Sequence, residues 1–113
     1  MPSGGEPLSR ELADALLKGG GDLWNLYGPT ETAIWSSAGR VTADSGPLSI
    51  GAPIANTQLL HILDQNDGPS PVGVTGQLYI GGDGLATGYF QRPDLTAAAF
   101  RDIAFDGQPA QRF

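Results

Sequence analysis

The sequence predicts an α/β fold in which an αβ segment, residues 1–40, is followed by a β-rich segment, residues 41–100, and a tail, residues 101–113. Three observations carry this reading. An apolar i, i+4 period marks residues 9–18. From Arg40 onward that period disappears, and short β-prone runs alternate with Gly, Pro, Asn and Asp clusters at roughly ten-residue spacing, the pattern of a small antiparallel sheet or barrel. The 113 residues include 17 glycines and 9 prolines, just under the ~25–30 % share of low-complexity chains, so the chain should fold with many turns.

Taken in order, residues 9–18 read as a helix, with Ser9 as N-cap and Leu8, Leu12 and Leu16 on one stripe that Ala13 and Leu17 widen. Asp14 and Lys18 are spaced to pair, and Gly19, Gly20 and Gly21 end the helix because glycine enters positive φ without a Cβ clash. A strand follows at about Asp22 to Leu26, then a polar turn from Tyr27 to Thr32, then the β-prone Ala33-Ile34-Trp35. Further strands are expected at Pro47–Ile50, Thr57–Leu63 and Gln77–Ile80, with the turn signal Asp64-Gln65-Asn66-Asp67-Gly68-Pro69 folding the last two as a hairpin-like pair. A second helix starts near Pro93 and runs to about Phe100. The tail has no clear period, and its apolar Ile103, Phe105 and Phe113 stop without a polar terminal segment, as if the chain were cut.

Charge and composition exclude several functions. Six basic residues face twelve acidic ones for a net charge of −6, so no overall field gathers nucleic-acid phosphates. Cysteine is absent, which removes disulfides, thiolate nucleophiles and Cys-ligated zinc, and fits a cytoplasmic chain. No apolar run approaches the ~18 residues of a membrane span.

The string Asn25-Leu26-Tyr27-Gly28-Pro29-Thr30-Glu31-Thr32 gathers chemistry suited to a nucleotide at a strand end. A Tyr face can stack on a purine, an Asn amide can meet its edge, Thr can bond a phosphate oxygen and Glu can hold Mg²⁺. The same string also reads as an ordinary strand-to-helix connection capped by Thr30 or Thr32, and spacing alone does not decide. The glycine cluster from Gly76 to Tyr89 lacks the Lys-Ser/Thr of a P-loop, so a bulge or corner with positive φ is the expected use. Gly4-Gly5-Glu6 precedes the helix and reads as a turn or a weak anion-facing site. His61, the single histidine, reads as a half-exposed sheet residue, and Trp24 and Trp35 as core aromatics.

Together, Gly4-Gly5-Glu6, the Asn25 to Thr32 string, Ile50-Gly51-Ala52-Pro53-Ile54-Ala55-Asn56-Thr57 and the stretch from Gly76 to Phe100 resemble the adenylation domains of nonribosomal peptide synthetases. Acyl-CoA ligases and luciferases look similar at the loop, but Pro29 and the Ile50 to Thr57 string look like the amino-acid-activating branch. Gln77 stands where the family usually has Glu, and Thr87 where it usually has Arg. The resemblance implies a fragment of the large subdomain of an adenylate-forming enzyme, an αβ segment followed by a distorted barrel. The family's phosphate loop is expected before Met1, and its ribose-binding segment and C-terminal lysine after Phe113, so this chain alone should not form an adenylate. A fragment of an acyl-CoA ligase is one alternative, and a non-catalytic nucleotide-binding or interaction module is the alternative of another class.

The resemblance further implies ATP and Mg²⁺, transfer of the acyl group to the phosphopantetheine of a carrier domain, and carrier and condensation domains as partners. Tyr27 would stack on adenine with Gly5 on its other face, Asn25 would contact its edge, and Leu26 and Gly28 belong to the same nucleotide-facing string. Thr30 would approach the α-phosphate and Glu31 would ligate Mg²⁺. Gly4, Leu26, Ile34 and Trp35 would line the amino-acid pocket, with Pro2 a neighbour. Trp, Ile and Leu around one cavity leave little space and no charged partner, so a small uncharged substrate is expected, glycine first, then cysteine or alanine.

Overall fold

Ser9 begins the first helix as predicted: its Oγ accepts the Leu12 N–H at 3.2 Å, and α1 spans Arg10–Lys18. In the computed structural model, residues 1–44, 46–57, 59–105 and 107–113 are described. They form two compact units, Met1–Ile54 and Ala55–Phe113.

In the first unit, β1 (Pro2–Gly4), β2 (Leu23–Tyr27), β3 (Ser37–Val41) and β4 (Ala52–Pro53) form a sheet in that order. β1 runs parallel to β2 with Ser3 opposite Asn25, and α1 makes the crossover between them. The β3 strand is antiparallel to β2, with Leu26 opposite Ala38. Leu23, on β2, packs with Val41 and with Ala13 of α1, and Leu8, Leu16, Leu17 and Leu48 close around them. Asp14 pairs with Arg10 at 3.3 Å, the neighbour one turn before it, in place of the expected Lys18. Gly19 keeps a right-handed conformation at the helix end, and positive φ begins at Gly20.

Three expectations for this unit change. Residues 1–4 contribute a strand with no periodic signal. The segment 47–50 is not a strand; the pairing with β3 comes from Ala52–Pro53. Ala33-Ile34-Trp35 is β-prone in composition yet takes left-handed backbone, φ 58° at Ala33 and 78° at Ile34, because the chain reverses there between β2 and β3.

In the second unit β5 (Leu59–Leu63) pairs antiparallel with β6 (Gln77–Gly81), His61 facing Tyr79. Gln58, inside the predicted strand, and Asp106, inside the tail, lie outside the described residues. The Asp64 to Pro69 turn does form, with Asp64 Oδ1 accepting the Asn66 and Gly68 N–H groups. It leads to a bridge between Leu63 and Pro69, so Leu63 has partners on both sides and β6 takes the second edge. Helix α2 (Pro93–Ala99) starts with Pro93 in its first turn. The tail without a period forms β7 (Asp102–Ile103) and β8 (Gln111–Arg112), which pair antiparallel. Leu63, Ile103 and Phe113 form the core, and the His61 ring lies 4.6 Å from that of Phe105 and 5.6 Å from that of Phe113. Gly82 turns the chain after β6 with φ 133°, the corner expected of the glycine cluster.

Candidate functional site

The predicted nucleotide string lies at the end of β2 and in the connection to β3. Tyr27 closes the strand, and the Ser36 N–H returns to its carbonyl at 2.8 Å. Between them Gly28 and Pro29 lead into a 3₁₀ turn at Thr30–Thr32. Gly28 is required by close approach: an added Cβ would lie 2.3 Å from the Ile34 carbonyl oxygen and 2.7 Å from Trp35 Cα. The Thr32 hydroxyl donates to the Pro29 carbonyl at 3.1 Å, and the 3₁₀ turn carries no side-chain cap. The alternative of a capped strand-to-helix connection is therefore not what forms; the string joins two antiparallel strands.

A groove of about 390 Å³ opens beside this connection. Gly5, Asn25, Leu26, Tyr27 and Gly28 line it, so five of the predicted site residues come together, with Glu6 at the rim. Tyr27 is 38 % exposed, enough to offer a ring face. Gly5 has φ 93° and nothing within 4 Å of where a Cβ would stand, which leaves its side of the groove open. Asn25 is buried and its Nδ2 donates to the Ser49 carbonyl at 2.9 Å, fixing the amide plane. Thr30 is exposed and Glu31 half-buried in the next turn, outside the groove wall.

Leu48 and Ile50 complete the apolar wall of the groove, and sequence reasoning missed them. The signal nearest to them is the Ile50-Gly51-Ala52-Pro53 string, which speaks in the sequence for the branch of the family and not for a contact.

The predicted amino-acid pocket residues meet differently. The Trp35 indole lies over Gly4, so close that a Cβ there would stand 2.5 Å from Cη2 and Cζ3. Trp35 is half-buried and Ile34 is 64 % exposed. Trp24, expected in the core, is 41 % exposed on the face of β2 opposite Leu23 and Asn25. Among the described residues no cluster of three or more His, Cys, Asp or Glu side chains could hold a metal ion. A Mg²⁺ that takes most of its ligands from phosphates and water asks for only one or two carboxylates. Among the described residues no helix is long and apolar enough to cross a membrane.

The family model for AMP-binding enzymes matches residues 1–90. The chain belongs to the AMP-binding enzyme family. Among its relatives, a linear gramicidin synthase polypeptide of Brevibacillus parabrevis is 48 % identical over 109 residues, covering 96 % of this chain and 2 % of the synthase. Indigoidine synthase of Dickeya dadantii is 55 % identical over 105 residues, covering 87 % of this chain and 7 % of that protein. The chain thus spans a small part of the curated relatives it matches. A crystal structure of holo-AB3403, a four-domain nonribosomal peptide synthetase bound to AMP and glycine, shares 49 % identity at a TM-score of 0.85, over 99 % of this chain and 8 % of that one. The NpsA N-terminal subdomain of Klebsiella oxytoca, in complex with 3-hydroxyanthranilyl-AMSN, aligns at a TM-score of 0.86 with 26 % identity, over 99 % of this chain and 28 % of that one. This AMP-binding chain is therefore of the nonribosomal peptide synthetase adenylation type, and its α/β fold is that of part of the N-terminal subdomain of adenylate-forming enzymes.

Proposed function

We propose that this chain is part of a cytoplasmic adenylation domain that activates a small, uncharged amino acid, glycine first and cysteine or alanine next. The amino-acid carboxylate attacks the α-phosphate of Mg·ATP, giving an aminoacyl adenylate and pyrophosphate. The acyl group then passes to the phosphopantetheine thiol of a carrier domain, and a condensation domain takes the product onward.

The observation that carries this reading is the layout of one connection: its groove side gathers Gly5, Asn25, Leu26, Tyr27 and Gly28, and its far end sets Trp35 on Gly4. Tyr27 stacks on adenine from one side with Gly5 along the other, and the held amide of Asn25 meets the base edge. Such base–aromatic stacking is worth ~1–3 kcal/mol. Thr30 bonds the α-phosphate, and Glu31 is the carboxylate of the string that holds Mg²⁺, which when bound neutralises phosphate charge. The side chains perform little bond chemistry; they position the two substrates and offset charge.

On the amino-acid side, Trp35 fills the space over Gly4, and Leu26 and Ile34 add bulk without charge. That favours a substrate with almost no side chain. The glycine in the 49 % identical neighbour supports the same assignment.

Amino-acid-dependent ATP–pyrophosphate exchange tests it, on the full adenylating polypeptide with the 113-residue chain alongside. Exchange is expected with glycine or another small amino acid in the full polypeptide and none in the short chain. Trp35→Ala should move the preference toward larger side chains, at ~1–3 kcal/mol for each methylene newly admitted. Exchange only with fatty or aryl acids would sink the reading, and activity in the short chain would refute the expectation that it is inactive alone.

A further inference from the structure

Thr32 and Ser36 are 5 % and 0 % exposed, two hydroxyls buried beneath the connection that the proposed site occupies. They contact each other across four residues. Since Thr32 has a single hydroxyl proton and donates it to the Pro29 carbonyl at 3.1 Å, Ser36 is the donor to Thr32, and the hydrogen bonds run in one direction from Ser36 through Thr32 to Pro29. The Thr32 N–H reaches the same Pro29 carbonyl at 3.1 Å, and the Ser36 N–H ties to Tyr27 at 2.8 Å. Thr32 is therefore the shared member of two loops. Thr30 and Glu31 lie inside the first, between Pro29 and Thr32. Ile34 and Trp35 lie inside the second, between Thr32 and Ser36.

The second loop is strained. The Trp35 N–H bonds the Ala33 carbonyl at 3.0 Å around Ile34 at φ 78°, the hydrogen bond and φ of a γ-turn that β-branched residues avoid. Backbone of this kind persists only where its surroundings over-determine it, and it gathers at ligand sites. The buried hydroxyl pair at its base and the packed backbone of Gly28 beside it supply that constraint.

We propose that Thr32 and Ser36 are positioning residues whose buried hydroxyl contact holds the turn of Thr30 and Glu31 and the turn of Ile34 and Trp35 as one body, so that nucleotide and amino-acid subsites are set together. This rests on the site reading given above. Loss of the contact loosens both turns at once, because each has Thr32 as an end.

The test uses T32V, T32S and S36A in the full adenylating polypeptide, with T42V as a matched surface control. Exchange kinetics give kcat and KM for ATP and for glycine, and deuterium uptake is followed over residues 29–36. In T32V, kcat/KM should fall on the order of 10–100-fold for both substrates, the scale of a small misplacement at a reacting centre, with uptake rising in both turns. T32S should restore most of the loss, T42V should leave the exchange kinetics and the uptake over residues 29–36 unchanged, and T32V/S36A should be no worse than T32V because the pair acts as a unit. Should T32V fail to fold, S36A carries the same expectation and the same readouts. A T32V that shifts only the thermal midpoint, or only one substrate's KM, overturns the proposal. If the unsubstituted polypeptide exchanges with no amino acid, the site reading fails by itself; uptake then decides this inference, since a rise in both turns supports it and unchanged uptake refutes it.

Discussion

The two units bury different chemistry. Below the connection of the first unit lie Asn25, Thr32, Ser36 and Ser37, all buried polar groups with hydrogen-bond partners, while its apolar core of Ala13, Leu23 and Val41 is small and aliphatic. The second unit packs rings, with Phe105 and Phe113 centroids 5.8 Å apart and His61 against both, around Leu63 and Ile103. Long-range polar ties of this unit are on the surface, among them that of Arg101, which grips both Asp67 oxygens at 2.9 and 2.6 Å and reaches the Tyr79 hydroxyl. Rings can shift relative to one another at low cost, whereas a satisfied buried polar group allows one arrangement of its loop. The first unit uses its interior to fix a conformation; the second uses it to hold strands together.

The largest expected effect tests that difference through glycine. Gly28→Ala drives its Cβ to 2.3 Å from the Ile34 carbonyl oxygen and 2.8 Å from the Ser36 nitrogen, backbone atoms of a segment whose Ser36 N–H is tied to Tyr27. Gly81→Ala in the second unit meets the Phe113 ring at 2.9 and 3.0 Å, with its nearest backbone atom, the Arg112 carbonyl oxygen, at 3.3 Å. A ring can swing and a pinned backbone cannot. Urea unfolding should show a loss of about 3 kcal/mol or more for Gly28→Ala, at the top of the overpacking range, and about 1 kcal/mol for Gly81→Ala. Equal losses would break the comparison.

Next come the cores themselves. Leu23 is 2 % exposed and Leu63 1 %, so truncation of either to Ala leaves a cavity costing ~2–5 kcal/mol. Rings that close into the space put Leu63→Ala at the bottom of that range, and the sheet-and-helix contact puts Leu23→Ala somewhat above it. Denaturation midpoints of the two variants, side by side, give the order; the reverse order would mean that the aliphatic core relaxes more readily than the aromatic one.

How much of this was legible in the sequence depended on whether the cause was local. α1 and its Ser9 cap, β2, β6 and α2 were readable because capping, period and turn chemistry lie within a few residues of one another. β1 and the β7–β8 pair were not, since strands of two or three residues carry no period and exist only through their partners. Ile34 misled for a related reason: its β-branched side chain favours a strand, but closure of the connection by Ser36 overrides that preference. The groove residues of the Asn25 to Gly28 string were legible as a motif, while Leu48 and Ile50, twenty or more residues away, reach it only through the fold.

The smallest expected effect compares one exposed aspartate in each unit. The Asp44 carboxyl is held below its ordinary value first by the Thr42 hydroxyl, donating at 2.8 Å, then by the Gly46 N–H at 3.1 Å, against a small opposing desolvation, with Arg10 adding a weak attraction. Asp94 is lowered first by the fork of Arg92, whose Nε and Nη2 donate at 2.9 and 2.7 Å. A carboxyl whose pKa is lower folded than unfolded stabilises the fold at pH above its unfolded value and loses that contribution as pH falls through the folded one. Both should therefore stabilise at neutral pH and cease to do so in acid, by amounts that solvent screening keeps well below either core substitution. Carboxyl chemical shifts followed through an acid titration separate the two. T42V should raise the Asp44 midpoint and leave Asp94 in place, and R92Q should do the reverse, with the Arg92 effect alone weakening as salt is added because an ion pair is screened and a neutral hydroxyl bond largely is not. If salt moved both midpoints equally, Asp44 would be governed by Arg10 and not by its own turn, and the surface of the first unit would be held by charge as the second is.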